Sequence, residues 1–283
     1  MRILVCLDGS PTSEQAARFA GPLLRAPGQR VTLFGVVDRG RDGAAIQRAL
    51  VGAAGWLASG SAETMVKTVH HRAADAILVE AEAGAYDLIV LGDPGRSGLA
   101  RFLGGSLTER VVRQAPCAVL VARAGSRELR RILVCTAGGA PGLRDVHFTA
   151  PVAAASGAAV TVLHVMSQVA LRDDVDTADL GASAADLIAR GTPEGLHLDE
   201  ARAILDAAGV QSTLSVRHGL VLDEIDAEVR EGDYDLVVLG ATLARGLSRL
   251  VLDNITRSVM HALDTAVLVV AGHEADVQRS GAT

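Results

Sequence analysis

The sequence predicts an α/β protein: two tandem doubly wound domains, each with a five-stranded parallel sheet of strand order 3-2-1-4-5 flanked by helices. Three observations lead there. First, the chain repeats itself in order. RILVCLD (2–8) returns as RILVCTA (131–137), VTLFGVV (31–37) as VTVLHVM (160–166), AYDLIVLG (85–92) as DYDLVVLG (233–240), and CAVLVA (117–122) as TAVLVV (265–270). Second, short branched apolar runs alternate with Ala-rich stretches at helical spacing, the pattern of strand–helix units that build a parallel sheet. Third, 49% of the 283 residues are hydrophobic but only 2% are aromatic. The core must therefore be built from Ala, Val, Leu and Ile, which suits helices packed on a parallel sheet.

Strand 1 (2–8) is followed by SPTSEQAARFAGPLL, where Ser10 offers a helix cap and Pro11 a first helical residue. Strand 2 (31–37) precedes ALVGAAGWLASG, in which Trp56 is expected to pack on a helix face. Strand 3 (65–70) leads into DAILVEAEAG, a helix stopped at Gly84. Strand 4 (86–91) gives way to a glycine-rich stretch and then to LTERVVRQ, a helix stopped by Pro116 ahead of strand 5 (117–122). The two copies are offset by 129 residues for the first two strands and by 148 for the last two, so the second copy holds about 19 extra residues. They are placed in 167–195, an acidic, Ala-rich insertion. The polar junction ARAGSRELR (122–130) sets the expected domains at 1–124 and 130–272, and HEADVQRSGAT reads as a polar tail. Tyr86-Asp87 and Tyr234-Asp235 precede strand 4 in both copies, which points to a structural role.

Charge and polarity exclude several classes. A net charge of −6 argues against a large electrostatic footprint for nucleic acid. No run of roughly 18 apolar residues occurs, so no transmembrane helix and no membrane partner are expected. MRILVCLDGS reads as a strand and a turn rather than as a signal peptide. Cys6, Cys117 and Cys135 are odd in number, and Cys6 and Cys135 lie in apolar runs, which fits buried reduced thiols in a cytoplasmic protein. Paired catalytic carboxylates, a nucleophile with its base, and GxSxG are absent as clear signals, so no catalytic residue is assigned. His70, His71 and His218 lie at strand ends with no obvious further ligand, so no metal-binding residue is assigned.

The stretch GDPGRSGLARFLGGS (92–106) carries the functional signal. Open parallel sheets bind ligands beyond the carboxyl ends of their strands, where strand order reverses, and here the ends of strands 1 and 4 flank that crevice. Gly92, Gly95 and Gly105 allow close backbone approach to an anion. A helix beginning near Ser106 offers free N–H groups and a positive dipole end to phosphate, and Ser106 adds a hydroxyl. Arg96 and Arg101 either neutralise charge there or are solvated loop residues. Asp8, at the end of strand 1, is a candidate acceptor for ribose hydroxyls or adenine N–H groups, or else a turn and cap residue. No GxxxxGK[ST] occurs, nor GxGxxG after strand 1, which sets aside the Walker and dinucleotide fingerprints.

Gly92, two residues, Gly95, nine residues, then Gly105-Ser106 resembles the ATP-binding motif of the universal stress protein family, and GRSGLARFLGGSLTERVVRQAPCAVLVA is similar to the family's wording over its full length. The resemblance extends over nearly the whole chain as two tandem domains. It implies ATP as the ligand, with Asp8 contacting the nucleoside, Val36 lying against adenine, Gly92, Gly95, Gly105 and Ser106 wrapping the phosphates, and Leu107 offering a backbone N–H. Pro94 departs from the His that many members carry before the second glycine, and it removes one backbone donor. Mg²⁺ is a further candidate, with Asp38 and Asp42 as carboxylates able to reach it. Each fifth strand would lie at a sheet edge, and exposed apolar edges tend to be paired. The resemblance implies that the two halves pair through their fifth strands as an internal pseudo-dimer; a homodimer of whole chains is a further option.

In the second copy Asp8 becomes Ala137, Gly95 becomes Leu243, Gly105 becomes Asp253 and Ser106 becomes Asn254; Gly240 alone survives. Asp253 would oppose phosphate. An adenine nucleotide is therefore expected in the first domain only. Thr136, Gly138 and Gly139 remain for a less charged ligand, or the site is empty and kept for pairing. Three functions are weighed: an ATP-binding stress-response regulator with an unknown protein partner, a slow Mg²⁺-dependent ATPase, and an interaction module with vestigial sites. The first is favoured over turnover because no positioned general base is visible, and over the third because the glycine stretch is intact.

Overall fold

The computed structural model describes residues 1–38, 42–94, 107–126, 128–166, 181–243, 250–251 and 254–271. In the first copy the elements run β1 (Arg2–Leu7), α1 (Pro11–Phe19), α2 (Gly21–Arg25), β2 (Arg30–Val37), α3 (Gly43–Leu57), β3 (Glu63–His70), α4 (Ala73–Gly84), β4 (Leu88–Asp93), α5 (Leu107–Gln114) and β5 (Ala118–Arg123). The second copy continues with β6 (Arg131–Thr136), α6 (Gly139–Ser156), β7 (Ala159–Met166), α7 (Ala184–Ala189), α8 (Pro193–Ala207), β8 (Ser212–His218), α9 (Val221–Gly232), β9 (Leu236–Leu243), β10 (Leu250–Val251), α10 (Asn254–Ala262) and β11 (Ala266–Ala271).

Both copies follow the strand order 3-2-1-4-5. The strands within each are parallel, with Leu7 opposite Gly35 and Val5 opposite Val90 in the first, and Thr136 opposite His164 and Cys135 opposite Leu239 in the second. The chain forms two compact units, and they do not divide where the sequence repeats. The first contains residues 1–128 together with β11; the second contains 129–240 and α10. β11 is the fifth strand of the second copy, yet it lies in the first unit, antiparallel to β5 with Val267 opposite Val121 and Val269 opposite Val119. The edge that a five-stranded sheet would expose is thus paired within the chain.

The cores are aliphatic, as the composition requires. Ile3, Leu4, Val5, Ile89 and Val90 are inaccessible in the first unit, and Ile132, Leu133, Val134, Val237 and Val238 in the second. Helix α1 opens as its sequence suggests: Ser10 caps it by accepting from the Ser13 N–H, and Pro11 takes the first helical position. The run then breaks at Ala20 into α2, because Pro22 has no N–H to continue the ladder. Trp56 packs across this break: its ring lies against Gly21, and the Arg25 guanidinium sits 4.9 Å from the ring centroid.

The retained Tyr-Asp pairs fasten the first strand of each copy. Asp87 accepts from the Arg2 N–H at 2.7 Å, and Asp235 from the Arg130 and Arg131 N–H groups at 2.8 Å. Tyr86 bonds Thr32 and Glu80, Tyr234 bonds Glu228, and Arg2 and Arg131 stack on the respective rings. Gly84 and Gly232 end their helices by leaving room for these rings, while the left-handed residues are Ala85 and Asp233. The three cysteines are free, and burial holds all three thiols protonated, that of Cys117 pushed up to about 12.

Candidate functional site

The carboxyl ends of β2, β1 and β4 lie side by side, and the turn after β1 is bound tightly between them. Asp8 Oδ1 accepts from the Ser10 N–H at 3.0 Å and from Ser10 Oγ at 2.5 Å. The buried Ser13 hydroxyl accepts from the Asp8 N–H at 3.3 Å and donates to the Ser10 carbonyl. Asp8 thus closes the turn after β1, with its carboxylate held at the head of α1. Gly9 has φ +77, and a Cβ there would stand 2.8 Å from the Ala45 carbonyl carbon at the start of α3. Gly92 lies so close to α1 that a Cβ would collide with the Thr12 carbonyl and stand 2.7 Å from Ser13 N. Gly92 is thus needed for packing whatever the ligand. Gly9→Ala and Gly92→Ala are each expected to cost about 2–3 kcal/mol of stability, read as a drop in urea midpoint, through backbone strain and overpacking.

Val36 is 6% exposed, on the sheet face opposite the one that Gly35 turns to Ile46 and Leu50 of α3. Leu107 opens α5. Gly95, Gly105, Ser106, Arg96 and Arg101 lie outside the described residues, as do Asp253 and residues 167–180 of the insertion. The two carboxylates considered for Mg²⁺ are engaged at helix starts: Asp38 accepts from the N–H of Ala73, the first residue of α4, at 3.2 Å, and Asp42 caps α3 through the Ala44 N–H at 2.9 Å. Among the described residues no group of three His, Cys, Asp or Glu side chains is placed to hold a metal ion. The sequence reading missed the Asp93–Arg123 ion pair at the ends of β4 and β5, 3.2 Å apart. Its signal was available: the second copy has Ala241 and Ala271 at the matching positions.

The crevice of the second copy is built differently. Three positions that are apolar or small in the first copy, Leu7, Gly35 and Ala49, are Thr136, His164 and His197 in the second. Thr136 Oγ1 accepts from the Gly138 N–H at 3.1 Å, taking over the turn role of Asp8, and lies 2.7 Å from His197 Nε2. His164 Nδ1 donates to the Thr136 carbonyl at 3.1 Å. The ring of His197, on α8, fills the space that Gly142 leaves open where the first copy has Ser13. His197 is 6% exposed, and its Nδ1 has no hydrogen-bond partner among the described residues. Burial, reinforced by the nearby His164, lowers its pKa and keeps the ring neutral.

A carboxylate adds to this. Asp145, matching Ala16, is 5% exposed and lies against Gly240, whose missing Cβ makes the space. Burial pushes its pKa up to about 7. The strand itself also changes: β9 runs on to Leu243 and pairs back with β10, Leu243 opposite Leu250, whereas β4 ends at Asp93. Backbone groups at the start of this second stretch are thereby drawn into a ladder.

The profile of the universal stress protein family matches residues 1–123 and again 128–271. The chain belongs to the universal stress protein family. A universal stress protein of Methanocaldococcus jannaschii is 46% identical over 55 residues, 19% of this chain and 32% of that relative's length. The whole tandem arrangement has solved counterparts. A universal stress protein of Archaeoglobus fulgidus superposes over 95% of this chain and 98% of its own, at 16% identity and a TM-score of 0.65. One from Pseudomonas aeruginosa superposes over 100% and 98%, at 18% identity and a TM-score of 0.66. At such identities these two speak for the fold, and the matched third of the Methanocaldococcus protein leaves the activity of the present universal stress protein to be argued from its site.

Proposed function

We propose that this universal stress protein binds an adenine nucleotide, ATP, in the crevice of its first copy alone, and that occupancy rather than turnover is its output. Members of the family have been solved with cAMP and with dAMP. The observation that carries the reading is the contrast between the two strand-1 turns. In the first, a carboxylate is held by Ser10 at the strand ends beside Gly92. In the second, Thr136 stands in the matching place and bonds His197 through its hydroxyl and His164 through its carbonyl, and Asp145 lies against Gly240.

Asp8 would accept from the nucleoside, the backbone beyond Val36 would border the base, and Gly92, Gly95, Gly105, Ser106 and the Leu107 N–H would surround the phosphates. Mg²⁺ would travel with the phosphates and keep most of its waters, since Asp38 and Asp42 already serve helix starts. Free thiols and the absence, among the described residues, of a helix long and apolar enough to cross a membrane support a cytoplasmic setting. Mass spectrometry of the small molecule released on denaturing the purified chain tests the reading, together with calorimetric titration. An adenine nucleotide is expected in the supernatant, and Asp8→Ala should weaken ATP binding roughly 10- to 100-fold, the worth of a hydrogen bond to a charged group. A wild-type chain that carries no nucleotide and binds none on titration overturns it. Phosphate release that Asp8→Ala abolishes would replace the binding role with an ATPase.

A further inference from the structure

β3 ends the strand order of the first sheet, and it is a bare edge. Most of its residues are exposed, among them Met65 at 62% and Val66 at 46%. These two neighbours point to opposite faces of the sheet, so neither face is covered at this strand. The Glu63 N–H donates to the Gln29 carbonyl at 3.0 Å, which sets the phase of the ladder with β2. The N–H and C=O groups of Glu63, Met65 and Lys67 thus turn to β2, and those of Thr64, Val66 and Thr68 point outward. The second copy treats the same strand differently. Its counterpart, β8, is mostly half-buried: α7 of the insertion packs against it, and His218 Nε2 donates to the Ala182 carbonyl at 3.1 Å. The first copy has no such insertion.

We propose that β3 pairs antiparallel with β3 of a second copy of this chain, about a two-fold axis at Met65. Exposed apolar edges tend to be paired, and a lysine in mid-strand ordinarily blunts them. Here the sequence of β3 offers that lysine an acceptor in the second copy. Outward-facing backbone groups must meet outward-facing groups, which places the axis on a residue. With the axis at Lys67, the two lysines oppose each other. With the axis at Val66 or Thr68, Lys67 opposes an apolar residue, Met65 or Val69. With the axis at Met65, Thr64 opposes Val66 as a hydrogen-bonded pair, Met65 opposes Met65, and Glu63 opposes Lys67 on both sides of the axis. This register joins apolar to apolar and opposite charges to one another. The charges already present extend it rather than block it. Glu63 lies 3.4 Å from Arg30 of β2, and Lys67 bonds Glu80 of α4, so Arg30, Glu63, Lys67 and Glu80 follow one another across the junction with alternating sign. The pairing requires no nucleotide in either crevice.

Sedimentation velocity of the full-length chain tests this, with thermal melts to establish that each variant folds. The wild type is expected to form a dimer that dissociates on dilution. Lys67→Glu keeps Glu63 beside Arg30 and sets two carboxylates against each other at both ends of the junction. Glu63→Lys keeps Lys67 beside Glu80 and sets two ammonium groups against each other there. Each alone should weaken dimerisation roughly tenfold or more, and an equimolar mixture of the two should regain it, because every junction pair is then opposite in sign. Met65→Cys should give a disulfide-linked dimer under mild oxidation, since residues at the axis stand at non-hydrogen-bonded positions with Cα atoms about 4.5 Å apart. Val66→Cys should not, its two copies standing more than about 7 Å apart. A wild-type chain that stays monomeric up to about 1 mM overturns the proposal and leaves the edge to a strand of some other partner. A dimer that both charge variants leave intact, or one that cross-links through Val66→Cys in preference to Met65→Cys, overturns it as well, by placing the junction at another face or register.

Discussion

Asp145→Asn is expected to stabilise the second unit by about 3–4 kcal/mol at pH 8 and by almost nothing at pH 4, read as the shift in urea unfolding free energy. The carboxyl is 5% exposed, lies against Gly240, and takes part in none of the hydrogen bonds among the described residues. Burial lifts its pKa from 3.8 to about 7, with Arg144 opposing only in part. The folded chain therefore holds this proton more tightly than the unfolded chain. Stability from this group is fully present below pH 3.8 and is lost as pH rises through about 7, beyond which a buried charge remains. Asparagine keeps the shape and never ionises, so its gain must grow with pH. A gain that is the same at both pH values, or a loss at pH 8, contradicts this description of the site.

His197→Ala should have the opposite sign and a similar size. It removes the bond to Thr136 Oγ1, leaves Gly142 facing a void, and is expected to cost the second unit about 2–4 kcal/mol at pH 7.5. Its pH dependence runs against that of Asp145. The folded pKa of His197 lies below the usual 6.5, so the folded chain binds fewer protons. Its contribution is complete above pH 6.5 and is lost as pH falls through the lowered value, where Glu200 eases and His164 aggravates the added charge. Acid sensitivity of the second unit below pH 6.5 should thus be blunted in His197→Ala and retained in Asp145→Asn. The reverse assignment, measured by denaturation at a series of pH values, would show that the histidine is not the buried neutral group described.

Much of this was legible in the sequence, for identifiable reasons. The duplication shows the number of strands and a parallel doubly wound sheet because each copy carries its own alternation of branched runs and helical stretches, and the Ser10 cap with Pro11 at the first helical position signals through local geometry alone. The pairing of β5 with β11 was implied by the resemblance to the family, and the apolar edge that each fifth strand would otherwise expose gives the physical reason for it. What escaped was tertiary. Gly92 reads as a phosphate-loop glycine, and only the packed helix shows that Thr12 and Ser13 already require it. The Asp93–Arg123 pair joins residues thirty positions apart that meet by strand register. The Thr136–His164–His197 cluster spans three elements, one of them in the offset region between copies, where alignment of the repeats is hardest to read. Asp38 and Asp42 illustrate the converse: two carboxylates suited to a metal by type are engaged at helix starts.

The central claim is an asymmetry between two crevices of common origin, and counting ATP on the intact chain tests it most directly. Native mass spectrometry at saturating nucleotide should find one ATP per 283-residue chain, lost in the Asp8→Ala/Gly105→Asp variant and kept in His197→Ala and Asp145→Asn. Two ATP molecules per chain, or a single one that survives Asp8→Ala/Gly105→Asp, would place nucleotide in the second crevice and contradict the account.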